Sequence, residues 1–161
     1  MNKISSTYKG LITGLLMLAV SLGIYYAKGS FENNLQYITY ALYVGGILWA
    51  LIAFKNGPSE NKTFKNYFTE GFKCFIVIVF VMVLFTFIFT KMHPELKEQM
   101  AATYRAGLVS KGNYTPPEID KMVLQAKDYF VTMLVSMAIF GYLVIGAIVT
   151  LVGSIGLSRK N

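Results

Sequence analysis

Few residues in this sequence have the type and spacing that chemistry needs. His93 and Glu95 stand two apart with Pro94 between them, a pairing that could serve general acid–base work. The same residues suit a helix start, where an early carboxylate complements the helix dipole and proline fits the first turn. Cys74 is the single cysteine, so these 161 residues hold no disulfide among themselves and no cysteine metal cluster. With a single histidine as well, no metal site is expected. Tyr43 and Tyr142 are the polar rings set deepest in apolar sequence. Each would either mark a pocket or bond through its hydroxyl to a neighbouring helix, and the second role is the expectation. Asn61-Lys62-Thr63 and Asn113-Tyr114-Thr115 match a glycosylation acceptor pattern that also recurs by chance. No catalytic, cofactor-binding or metal-binding residue is assigned, and the chain does not read as an enzyme.

The elements that must position these groups are apolar runs. Cys74–Thr90 has no charge, no glycine and no proline. With Phe72 in front it approaches the ~20 residues, at ~1.5 Å rise each, that cross a hydrocarbon core of ~30 Å. Hydrophobic residues make up 55% of the chain and charged ones 14%, and the charges cluster between apolar runs. Four spans are predicted, at 10–27, 35–54, 72–90 and 129–157, within a single membrane domain covering 1–161. The first could be a signal peptide, since Ala19-Val20-Ser21 offers small residues. Its run continues past the ~7–15 residues of a signal core, so an uncleaved span is expected. The net charge of +7 would suit nucleic acid, but the basic residues flank the spans, as membrane insertion requires, and nucleic acid is not an expected partner.

Two kinds of surface accompany the spans. Small residues at Gly10 and Gly14, and at Gly141, Gly146, Thr150 and Ser154, would let helix backbones approach closely where no hydrophobic effect drives them together. Phe64, Phe68 and Phe72, four apart, predict a short amphipathic helix in the headgroup region that feeds the third span. Lys65, Thr69 and Glu70 should face the other way, and Gly71 would allow a bend or a close contact. The polar segment 91–128 predicts two helices. The first carries Leu96, Met100, Tyr104 and Leu108 as an apolar stripe and stops at Gly112. The second starts at Thr115-Pro-Pro-Glu118 with a capping box and runs on into the last span, carrying Ile119, Met122, Val123, Ala126 and Phe130. The fold class is therefore all-α: an integral membrane protein built as a four-helix transmembrane bundle, with an extramembrane helical hairpin between spans three and four. The Phe64–Phe72 and Leu96–Leu108 stripes are candidate interfacial or partner-binding surfaces.

The short segments Lys3–Lys9, Lys55–Lys73 and Arg159–Lys160 hold eight Lys and Arg against two carboxylates. The other side holds seven against six. Both termini are thus expected in the cytoplasm and the hairpin outside. Charged groups are missing from the apolar runs, which weighs against an ion or proton pathway. Beyond the lipid bilayer, a membrane protein partner or a homo-oligomer is expected. The functional expectation is a non-enzymatic accessory or interaction protein of the envelope; a small oligomeric transporter or pore, built on the small-residue faces, is the alternative.

At Phe64-x3-Phe68-x2-Gly71-Phe72, at Pro94-Glu95 after the third span, and in the glycine-rich last span, the chain resembles a known family. These are the Bacteroidota membrane proteins grouped as domain of unknown function 4199. The resemblance covers nearly the whole chain. It implies four helices in a bacterial inner membrane and an envelope context, with no cofactor, established activity or catalytic residue to carry over.

Overall fold

A computed structural model describes residues 4–28, 33–58 and 62–159, apart from the side chains of 28 and 33–36. Lys3, Glu32, Glu60, Asn61 and Lys160, which enter the charge count and one acceptor pattern, lie outside the described residues. Among the described residues five helices follow one another: α1 (Ser6–Lys28), α2 (Asn33–Lys55), α3 (Phe64–Met92), α4 (Glu95–Lys111) and α5 (Pro116–Ser158). No strand occurs among the described residues. Helices α1, α2, α3 and α5 are each long and apolar enough to cross a membrane.

Local chemistry explains the boundaries. Helix α2 ends at Asn56-Gly57-Pro58, where the Gly57 N–H turns back onto the Phe54 carbonyl at 3.0 Å. Pro94 caps the start of α4, with Glu95 and Glu98 in the first turn against the positive end of the dipole. Gly112 closes it in the left-handed conformation (φ 66°), which glycine adopts without steric cost, and its N–H donates to Val109. The Thr115 N–H and hydroxyl both donate to the Glu118 carboxylate, at 2.7 and 2.8 Å, one half of the anticipated capping box. Helix α5 then continues for 43 residues, so the second polar-segment helix and the predicted last span are one continuous helix. Likewise the Phe64–Phe72 helix and the third span are continuous. Helix α3 continues through Gly71, where a Cβ would come within 2.6 Å of Thr150, one of the two uses anticipated for this glycine.

The chain divides into two compact units. The first comprises Met1–Val83 and Ile139–Asn161; the second is Leu84–Ala138. Within the first unit, α1, α2, the early part of α3 and the late part of α5 pack together. Tyr43, Ile47 and Leu51 of α2, Met17 of α1 and Cys74 and Ile78 of α3 are wholly buried there. Large apolar side chains such as Phe80, Phe140 and Val152 stand exposed on the outside of the same helices, the inverse of a water-soluble surface. Within the second unit, α4 packs on the first turns of α5 through Ala101, Leu108, Ile119 and Val123. Glu98 pairs with Lys127 at 2.5 Å and Arg105 with Asp120, so the partners run in opposite chain order.

Candidate functional site

Small residues are where the helices of the first unit meet. A Cβ on Gly10 would collide with the backbone carbonyl of Cys74, which sets α1 directly on the α3 backbone. One on Gly14 would lie 3.1 Å from Val81. On α5, a Cβ at Gly146 would strike the Tyr43 hydroxyl and come within 2.8 Å of the Phe75 ring. Thr150 and Ser154 are wholly buried, and their hydroxyls find no hydrogen-bond partner among the described residues. Gly141 differs from the rest of its set: a Cβ there meets nothing within 4 Å, so it marks no helix contact in this structure. It lies five residues before Gly146, about 500° of helical turn, and so points well away from that face. Contacts not anticipated from sequence are Gly46 against Thr13 and Gly153 against Leu51. The adjacent Gly45-Gly46 pair in mid-span was the available signal for the first. Tyr43 donates to the Tyr142 carbonyl at 2.8 Å and the two rings meet edge to face, so the tyrosines tie α2 to α5.

The two stripes behave differently. Phe64, Phe68 and Phe72 stack in succession, centroids 6.0 and 6.2 Å apart, with Phe64 and Phe72 exposed. The stripe on α4 is not a single face. Residues four apart advance about 40° per step, so Leu96 and Leu108 end up about 120° apart around the helix. Leu108 is 4% exposed inside the cluster with α5, Leu96 and Met100 are half-buried, and Tyr104 is exposed. The residue that shares Leu108's face is Ala101, seven positions earlier, where the drift is only ~20°. His93 Nδ1 and Glu95 Oε1 lie 2.5 Å apart, and the His93 ring packs on Phe89.

The strongest concentration of polar groups in the first unit is one that sequence reading missed. The start of α1, the end of α2 and the start of α3 surround a recess of about 390 Å³ lined by Ser5, Ser6, Lys9, Phe54, Gly57 and Glu70, among others. Facing away from the phenylalanine side does not leave Glu70 alone in solvent. Instead it accepts from the Ser6 hydroxyl at 2.5 Å and from Lys73 at 2.9 Å, which links α3 to α1. Lys9 reads in sequence as a flanking charge, yet it is only 8% exposed, with its ammonium 5.9 Å from the centre of the Trp49 ring. The signal was its spacing. Ser6, Lys9, Thr13 and Met17 recur at three and four, the helical face that is buried here.

Among the described residues the chain is all-helical, with four helices long and apolar enough to cross a bilayer and small residues at its helix contacts, features consistent with a membrane protein. More particularly, a family described as protein of unknown function (DUF4199) matches residues 8–159, and the chain belongs to that family. No curated protein and no solved structure matches it.

Proposed function

We propose that the chain is a multi-pass protein of the bacterial inner membrane with both termini in the cytoplasm. In this reading α4 and the first turns of α5 form a hairpin on the outer side, and the protein acts without catalysis, as an accessory or interaction protein of the envelope. The observation that carries the reading is the α4–α5 pair. Its apolar cluster and two ion pairs hold it together from within, yet Tyr104, Val109, Tyr114 and Leu124 remain exposed on it. Exposed aromatic and aliphatic side chains on an otherwise polar segment suit contact with another protein or with the bilayer surface. Orientation is supported by Lys9, Lys62 and Lys73, which gather at the end of the first unit where α1 starts and α2 finishes. The oligomeric pore is less favoured because the small faces that would build it already meet atoms of the same chain at Gly10, Gly14 and Gly146.

Single cysteines at Lys62 and Lys111, with Cys74 replaced, test the topology. An impermeant thiol reagent applied to spheroplasts should label the second and spare the first; the reverse pattern discards the orientation. A photo-crosslinker at Tyr104 tests the role. It should capture a protein in native membranes that one at Phe80, on the outside of α3, does not. Identical products from both positions would remove the interaction reading.

A further inference from the structure

Lys9 is 8% exposed, and Glu70 across the same recess is an anion whose charge it feels without touching it. No carboxylate among the described residues lies within ion-pair distance of it. Glu70, the one described acid lining the same recess, has one oxygen occupied by Ser6 and the other by Lys73. Two ammonium groups, Lys9 and Lys73, thus share one carboxylate, and the surplus positive charge at the largely buried Lys9 favours a further anion. The positive end of α1 opens at the same place and adds to the demand for negative charge.

Farther along the same pair of helices the polarity changes. An open groove of about 390 Å³ runs between α1 and α2, walled by Ile12, Leu16, Ile38, Leu42, Gly45 and Trp49, among others. It is overwhelmingly apolar, and a Cβ added at Gly45 would meet nothing within 4 Å. Trp49 belongs to this groove and also lies under the Lys9 ammonium, so the charged recess and the apolar groove adjoin at its ring. A soluble anion would leave the groove empty, and an uncharged hydrocarbon would leave Lys9 unanswered. One molecule with a negative head and a long apolar tail answers both.

We propose that the recess at Lys9 and the groove between α1 and α2 together bind an anionic phospholipid, its phosphate on Lys9 and one acyl chain along the groove. The assignment rests on the membrane reading above but not on the partner role. The topology labelling tests that reading separately, so failure here and failure there are distinguishable.

Trp49 is the only tryptophan in the chain, so its fluorescence reports on the site directly. Purified full-length protein in neutral detergent is titrated with phosphatidylglycerol carrying brominated acyl chains and, separately, with brominated phosphatidylcholine. The expected result is quenching by phosphatidylglycerol at about tenfold lower mole fraction, the scale of one charge-assisted contact. Lys9→Gln should bring phosphatidylglycerol to the phosphatidylcholine level, and Lys9→Arg should retain the preference. Gly45→Leu, which fills open space without a clash, should weaken quenching by both lipids. Equal quenching in the wild type overturns the proposal, as does a preference that survives Lys9→Gln or an acyl signal that survives Gly45→Leu. The wild-type comparison and Gly45→Leu decide the matter if Lys9→Gln does not fold. Inorganic phosphate separates the two sources of the anion. Quenching that persists in millimolar phosphate supports a lipid held by head and chain, whereas loss of the preference makes the recess a free-phosphate site and overturns the lipid assignment.

Discussion

Gly10→Ala and Gly23→Ala make the same chemical change in one helix and should move stability in opposite directions. At Gly10 the new methyl would collide with the Cys74 carbonyl oxygen and sit 3.2 Å from that residue's Cα. The obstacle is backbone, so no rotamer change relieves it. Helices α1 and α3 must separate by about 1 Å to restore ordinary contact, and a gap of ~0.5–1 Å forfeits a quarter to a half of each contact's attraction. Overpacking of this kind costs about 1–3 kcal/mol, against which alanine returns up to about 1 kcal/mol of helix propensity. At Gly23 the methyl meets nothing within 4 Å, and only the propensity gain remains. The two variants should differ by about 2 kcal/mol, close to thirtyfold in the unfolding equilibrium. Reversible unfolding in mixed micelles, driven by a denaturing detergent, measures the difference. Equal midpoints, or a Gly10→Ala protein more stable than wild type, would refute the close α1–α3 contact.

The same logic applies elsewhere in the chain. Gly146→Leu should reduce the yield of folded protein in detergent, because it displaces both Tyr43 and Phe75 and endangers the Tyr43–Tyr142 bond, whereas Gly141→Leu should purify like wild type; thermal melts followed by size exclusion compare the two. In the polar segment, Leu108→Glu should cost more than about 3 kcal/mol and expose α4 to proteolysis, while Val109→Glu next door, 60% exposed in the native protein, should be tolerated within about 0.5 kcal/mol. Matched protease sensitivity of those two variants would mean that α4 does not pack on α5 as described.

The helices and their ends were legible because periodicity, proline and glycine act locally. Gly112 and Thr115-Pro116 punctuate the polar segment wherever the helices go, and the uninterrupted run after Glu118 made a single long α5 foreseeable. Side-chain partners were less legible, since a spacing defines a face but not the neighbour it meets. The spacing of four along Leu96–Leu108 looked like one stripe only because its slow rotation was ignored; seven-residue spacing would have paired Ala101 with Leu108. Gly141 joined the small-residue set on composition, although its direction differs from that of Gly146. Lys9 and Glu70 were counted as topology charges, which described the end of the bundle they occupy and left out the recess they line. Beyond the local Glu70–Lys73 pair, their partners come from other helices, Ser6 for Glu70 and Trp49 for Lys9, and no local pattern announces a contact between helices tens of residues apart.

The helices that complete the first unit are separated by the whole of the second in the order of synthesis. Tyr43 is made early, but the carbonyl it donates to belongs to Tyr142, and Gly71 waits for Thr150. At ~5–20 residues per second a ribosome needs roughly 3–10 seconds to traverse Leu84–Ala138 before the closing helix segment begins to emerge. For that interval α1, α2 and the early part of α3 lack their contacts with α5, and the Tyr43 hydroxyl lacks the carbonyl it donates to. A stop codon anywhere before Gly146 should therefore yield a product that is cleared, not one that accumulates as a smaller bundle.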